Sequence, residues 1–274
     1  MDTTIAAEQE AYRKFYDTAL SALLSTIWGG NLHLGLFEHP DEPLGRAQLR
    51  AKDHLARSAA LRSGQRVFEV ACGVGTTAIH LARTYGVFVR ATNIAQAQLE
   101  EAAERVRAAG LADRVSFGFA DYHDLGDAEG LYDCWWCQEA LLYATDRTRV
   151  FSEARRVVKP GGKIVFTDLT LSSKLPLEER QSFMEDIRAP HLWPIEDYDR
   201  LFHDMNNPVV GREDWTAHTI LTFDAVARNL ASVRDEFVAR IDEETVRGTE
   251  IRINRQLAMA RAGYLGGCFF ELGV

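Results

Sequence analysis

The chain has 274 residues, 46% of them hydrophobic and 26% charged, with a formal net charge of -9 at pH 7. This suits one large domain, or a domain with a lid, around a sizeable core. The acidic balance excludes a nucleic-acid backbone or an anionic membrane surface as partner, and no Lys/Arg-rich run offsets it.

The polar, acidic opening of residues 1–10 is not a signal peptide, and no apolar run approaches a membrane span, so a soluble cytoplasmic protein is expected. Residues 6–25 place Tyr12, Phe15, Tyr16, Leu20, Leu23 and Leu24 at helical spacing and predict a helix stopped at Trp28-Gly29-Gly30. Such an exposed terminal helix could be exchanged between protomers, which makes a homo-oligomer an expectation. Residues 31–38 read as an aromatic-bearing loop with His33, bounded by Pro40 and Pro43. Residues 44–61 predict a second helix, closed by Gly64.

From there strands and helices alternate. Strands are predicted over 67–70, 87–93, 115–120, 132–137 and 163–168, and helices over 77–85, 95–109 and 147–158. Lys159-Pro160-Gly161-Gly162 reads as a turn. This rhythm implies a mostly parallel sheet with helices on both faces. After Leu171 it breaks. Residues 176–207 read as a helical insertion across the carboxyl ends of the strands, 208–216 as a sixth strand, 223–240 and 243–262 as helices, and 268–272 as a final strand. Cys134 and Cys137 are spaced C-x-x-C, but on a strand residues three apart face opposite ways, so buried thiols are expected rather than a metal or redox pair. No metal-ligand spacing is strong enough to name a site.

Function is concentrated in the run from Val67 to Thr77. A short apolar strand breaks at Ala71-Cys72-Gly73-Val74-Gly75 and enters a helix near Thr76. Glycines there let the backbone approach a ligand, and the helix points its free N–H groups at the same place. Gly73, Gly75 and Ala78 match G-x-G-x-x-A, a weak signal alone and equally consistent with a tight turn holding no ligand.

The later blocks give it meaning. Together they resemble the class I S-adenosylmethionine-dependent methyltransferases: the glycine turn, the strand end at Asn93, Asp121 after the third strand, and the stretch 135–167 with its K-P-G-G block. Within that class the opening block, with Trp28-Gly29-Gly30 and His33, and the segment Trp136-Cys137-Gln138-Glu139-Ala140 are similar to the sarcosine/dimethylglycine and tocopherol-type small-molecule enzymes. The resemblance implies a Rossmann-like α/β fold: a seven-stranded, mostly parallel sheet with an antiparallel last strand, an N-terminal helical cap (1–63), a cofactor-binding core (64–170), a lid insertion (171–207) and a C-terminal part of the core (208–274). It implies S-adenosyl-L-methionine as cofactor, held by Tyr16, Trp28, Glu69, Ala71, Gly73, Gly75, Asn93, Ile94, Gln98, Asp121, Tyr122 and Gln138. Asn93 would serve the ribose and Asp121 the adenine, while Glu69 would orient the loop or meet the methionyl end.

Candidate catalytic residues are Glu139, His33 and Tyr143. Glu139 could hold a substrate ammonium, act as a base, or stabilise a cation; alternatively it caps a helix or closes a salt bridge. Tyr12, Glu139, His191 and Trp193 are the candidate substrate contacts, the aromatic ones being as readily explained by packing. Three departures from the family pattern stand out: Ala71 replaces a glycine, which costs little if its φ is negative; Asn93 replaces an acid; and Tyr143 replaces the histidine of amine-methylating relatives. The expected activity is methyl transfer to a small molecule, an amine or a specialised metabolite. Alternatives are C-methylation of a prenyl or terpenoid compound, an NAD-dependent oxidoreductase, against which Asn93 and the K-P-G-G block speak, and a non-catalytic cofactor-binding protein.

Overall fold

The computed structural model describes residues 19–274, excluding the side chains of Ala19 and Ser21. The candidates Tyr12 and Tyr16, and the beginning of the first expected helix, lie outside the described residues. Nine α-helices occur among them: α1 (Ala19–Ile27), α2 (Leu44–Ser58), α3 (Thr76–Tyr85), α4 (Gln96–Ala108), α5 (Arg147–Val157), α6 (Leu177–Ile187), α7 (Ile195–Asp204), α8 (Thr216–Arg240) and α9 (Glu243–Arg261). The strands are β1 (Arg66–Glu69), β2 (Phe88–Asn93), β3 (Val115–Phe119), β4 (Tyr132–Gln138), β5 (Val158–Leu171), β6 (Val209–Asp214) and β7 (Leu265–Gly273). Among the described residues no helix is long and apolar enough to cross a membrane.

The strands form a seven-stranded sheet in the order β3-β2-β1-β4-β5-β7-β6. β1 pairs in parallel with both β2 and β4, and the order reverses between them. The last strand is antiparallel. In such sheets the crevice beyond the carboxyl ends at the reversal is where ligands bind, so Glu69 and Gln138, the last residues of β1 and β4, sit at the strategic edge.

The expected turn at residues 159–162 is not one. β5 runs from Val158 through Leu171 without interruption. Its register against β4 shifts: Tyr132 pairs with Val158 and Cys134 with Lys163, so two steps along β4 meet five along β5. The surplus is a bulge, with Gly161 at φ 80 supplying the left-handed residue it needs. The chain end stitches it: Gly161 N donates to Val274 O at 2.7 Å and Val274 N to Gly162 O at 3.2 Å.

The chain divides into two compact units. The first holds the described residues up to Ala51, with Leu169–Ile195 and Asp214–Cys268. Here Leu23 and Ile27 of α1 are buried with Val226, Leu230 and Phe237 of α8 and Val246 and Ile253 of α9. The loop after α1 is fastened by Gln48, whose Nε2 donates to the carbonyls of Trp28, Asn31 and His33 at 3.1, 3.1 and 2.9 Å. The second unit holds Lys52–Asp168, Glu196–Glu213 and Phe269–Val274. The expected insertion 171–207 is thus divided, α6 falling in the first unit and nearly all of α7 in the second. Tyr198 and Phe202 of α7 are fully buried there in an aromatic cluster with Phe151, Phe166 and Phe270, ring centroids 4.8 to 6.1 Å apart. A helix with apolar residues four apart presents them on one face, which accounts for the packing.

Candidate cofactor and active site

β1 ends at Glu69, and the chain turns through residues 70–75 into α3. Val70 N donates to Trp136 O and Cys72 N to Thr92 O, both at 3.0 Å, so the first half of the turn is tied to β4 and β2. Three residues of the turn are left-handed: Ala71 at φ 51, Gly73 at φ 53 and Gly75 at φ 77. The sequence-based allowance for Ala71 required a negative φ, and this is corrected: the alanine is held in a conformation that disfavours a Cβ by about 1 kcal/mol. An ideal Cβ on Gly73 would meet nothing within 4 Å, which leaves room beside the turn. On Gly75 it would lie 3.1 Å from both Ala102 Cβ and Phe117 Cζ. Gly75→Ala therefore combines left-handed strain with overpacking and is expected to destabilise the fold by about 2–4 kcal/mol, measurable by denaturant unfolding. A change under 0.5 kcal/mol would show that the turn does not need this glycine. Gly75 is also the N-cap of α3 and contributes no side-chain cap.

Glu69 is 4% exposed, and its Oε2 has no hydrogen-bond partner among the described residues. Burial raises its carboxyl to about 8, partly offset by the charge of Lys52. On the neighbouring strand Gln138, 5% exposed, accepts at Oε1 from Trp136 Nε1 at 3.2 Å and from Thr77 Oγ1 at 3.3 Å. These two donors fix the amide orientation and leave Nε2 without a partner among the described residues. Thr167, paired with Gln138 across β4 and β5, has a buried hydroxyl in the same condition. Buried polar atoms are almost always hydrogen-bonded, so three unmet ones on the adjacent strands β1, β4 and β5 mark a place where a polar ligand fits.

Glu139 follows directly at φ 44, a left-handed value that costs a non-glycine residue about 1 kcal/mol or more. Its backbone N–H donates to Thr167 O at 2.9 Å. Tyr143, on a 3-10 turn over Leu141–Tyr143, is 43% exposed. Asn93 at the end of β2 accepts at Oδ1 from the N–H groups of Ile94 (2.8 Å) and Ala95 (3.4 Å), and its Nδ2 donates to Gln98 Oε1 at 2.7 Å. Its amide thus shapes the entrance to α4. Asp121 accepts from His123 N at 2.9 Å and faces His123 Nδ1 at 2.7 Å; the hydrogen bond with His123 holds its carboxyl below the usual range. Tyr122 OH donates to Ala140 O at 3.3 Å. The second unit holds Glu69, Ala71, Gly73, Gly75, Asn93, Ile94, Asp121, Tyr122, Gln138 and Glu139 on the ends of β1 to β4 and the loops that follow them, with Gln98 in the first turn of α4 and Tyr143 on the 3-10 turn after β4. Trp28, His33, His191 and Trp193 belong to the first unit: Trp28 meets the ring of Phe223 edge-on at 5.6 Å, and Trp193 bridges to Thr170.

Residues 67–162 match the family described as methyltransferase domain. The sheet and its surrounding helices are similar in fold to those of the class I S-adenosylmethionine-dependent methyltransferases. Methyltransferase GfsG of Streptomyces halstedii is 37% identical over 59% of this chain and 58% of its own length. The 27-O-demethylrifamycin SV methyltransferase of Amycolatopsis mediterranei is 37% identical over 58% of each chain. The chain thus spans under two thirds of the length of these curated relatives. A putative sarcosine dimethylglycine methyltransferase from Galdieria sulphuraria superposes with a TM-score of 0.84 at 23% identity, covering 92% of this chain and 97% of that one.

Two groups escape a reading of this methyltransferase fold from sequence alone. Thr167 looks like an ordinary strand residue. Lys52 lies on α2 within a buried stripe of Ala47, Gln48, Ala51, Leu55, Ala56 and Ala59. A lone lysine at helical spacing within that stripe is a signal that periodicity could have flagged.

Proposed function

We propose that the protein transfers a methyl group from S-adenosylmethionine to a small-molecule acceptor, an amine or a specialised metabolite. The observation that carries this reading is the trio of buried polar atoms without partners among the described residues, Glu69 Oε2, Gln138 Nε2 and Thr167 Oγ1, beside a glycine turn with open space at Gly73. The relatives add support at the level of acceptor class: one is named for an amine, sarcosine dimethylglycine, and one for 27-O-demethylrifamycin SV.

When bound, the cofactor supplies a methyl group on a sulfonium, already attached to a good leaving group. The residues must therefore bind, align and exclude water rather than activate the donor. Glu69 would take the ammonium of the amino-acid end, with Gln138 Nε2 as a further donor. Gly73 and Gly75 would admit the nucleoside against the backbone. Asn93, Ile94 and Gln98 would serve the ribose, and Asp121 and Tyr122 the adenine. Glu139 would hold an acceptor ammonium or take the proton the acceptor releases, with Tyr143 beside it in sequence as the second candidate. Incubation with methyl-labelled cofactor and a panel of amines, phenols, macrolide-type hydroxyls and prenyl compounds should label at least one class. Label in none of them would refute the reading.

A further inference from the structure

The loop after β3 is fastened to the start of α5 through a side chain to which the sequence assigns no role, His123. Its Nε2 lies 3.3 Å from Asp146 N, with Thr145 Oγ1 3.4 Å away. A backbone amide only donates, so Nε2 must be the bare, accepting nitrogen, and the ring proton sits on Nδ1. Nδ1 lies 2.7 Å from Asp121 Oδ1 and donates to it. The same oxygen accepts from His123 N at 2.9 Å. Both bonds use Oδ1, while Oδ2 takes no hydrogen bond from a described residue. The histidine is itself gripped by α5. Arg149 Nε donates to its carbonyl at 2.7 Å, and Arg149 N donates at 3.0 Å to Oδ1 of Asp146, the N-cap of that helix. Tyr122, between Asp121 and His123, adds a second tie at Ala140 O. One oxygen of the Asp121 carboxylate is thus doubly engaged, and the other is left to accept.

Deepening the methyl-transfer reading, on which it rests and in which Asp121 serves the adenine, we propose that His123 is the positioning residue that makes the site selective for a purine bearing an amino group. An ionised carboxylate accepts hydrogen bonds and donates none, so it rewards a ligand N–H and nothing else. The hydrogen bond from His123 holds the Asp121 carboxyl below its usual range and so keeps it ionised. By engaging Oδ1 the imidazole also stops the carboxylate from rotating, and the ordering is complete before the ligand arrives. Without the imidazole the carboxylate would have to be ordered by the ligand itself, at the expense of the amino-group contact.

The test is calorimetric titration of the full chain with S-adenosylhomocysteine and with its 6-deamino analogue, whose purine carries hydrogen in place of the amino group. The wild type is expected to prefer the first by about 10- to 100-fold, the range of a hydrogen bond to a charged acceptor. His123→Ala should cut that preference to about threefold or less, with affinity for the analogue unchanged within about twofold. His123→Leu, which keeps the bulk and removes the donor, should do the same, and thermal unfolding checks that both variants fold. His123→Asn, whose amide can still donate to Asp121, should restore part of the preference. In an Asp121→Ala background His123→Ala should change neither affinity further, because the histidine acts through that carboxylate. A histidine that merely braces the loop would weaken both ligands alike and leave the preference intact. That result would overturn the proposal, as would a further loss in the Asp121→Ala background. If the wild type binds both ligands equally, the assignment of Asp121 to the adenine fails with the proposal while the methyl-transfer reading stands. If it binds neither, that reading fails as well.

Discussion

Glu69→Gln is expected to weaken S-adenosylhomocysteine binding by about 30- to 1000-fold, because it leaves a ligand ammonium facing a neutral amide in a buried site. Truncating one partner of such a pair costs roughly 2–5 kcal/mol, much of it the penalty of the charge left behind. Calorimetry on wild type and variant reads this directly. A loss under threefold would mean that the carboxylate does not meet the ligand.

The same substitution has a second, independent readout in the ligand-free protein. Burial raises the Glu69 carboxyl to about 8 from an ordinary 4.5, with Lys52 lowering it in part. The folded-state value exceeds the unfolded one, so between these values the folded protein keeps a proton that the unfolded chain has released. Stability from this group is full below about 4.5 and falls as the pH rises through 8. Lys52 runs the other way at higher pH: its folded value of about 8 lies below the ordinary 10.5, so stability recovers as the pH rises from 8 toward 10.5. The groups facing this pair are Glu139 and Asp53, which act on Lys52, and Cys72, whose thiol burial and the Glu69 charge push up. The wild type should therefore lose on the order of 3–5 kcal/mol between pH 5 and 8, and Glu69→Gln should flatten that slope. A melting temperature that stays level or rises across this window in the wild type would contradict the account.

What could be read beforehand follows from how local each signal is. The β1–turn–α3 unit lies within some twenty residues, and its apolar run, two glycines and helix periodicity each speak for the same geometry, so the strand, turn and helix were legible there. The bulge in β5 was not, because Pro160, Gly161 and Gly162 carry turn chemistry and what keeps them in the strand is the carboxyl terminus, Val274, more than a hundred residues on. Ala71 misled in the opposite direction: an alanine suggests negative φ, yet the turn is pinned by Trp136 and Thr92 and imposes φ 51 on whatever stands there. The division of the expected insertion was equally hidden. Tyr198 and Phe202 announce an amphipathic helix, but not which unit receives its apolar face.

Tyr198→Phe should be the most damaging of the small changes at the end of β5. Its hydroxyl donates to Asp168 Oδ2 at 2.7 Å and accepts from Arg147 Nε at 3.1 Å, linking residues 30 and 51 positions apart. All three side chains are at most 3% exposed. The variant keeps the ring, and with it the contacts to Phe166, Phe202 and Phe270 and the Arg147 guanidinium 5.5 Å above its centroid. It removes only the atom that mediates between a buried cation and a buried carboxylate, which should cost about 2–4 kcal/mol and lower the melting temperature by about 5–10 °C. Asp168 directly follows Thr167, whose carbonyl holds the Glu139 backbone and whose strand partner is Gln138. Loosening this part of β5 should therefore also weaken S-adenosylhomocysteine binding, by about threefold to tenfold. A variant that melts within 1 °C of the wild type and binds equally well would show that the buried chain neither stabilises β5 nor positions the residues at its end.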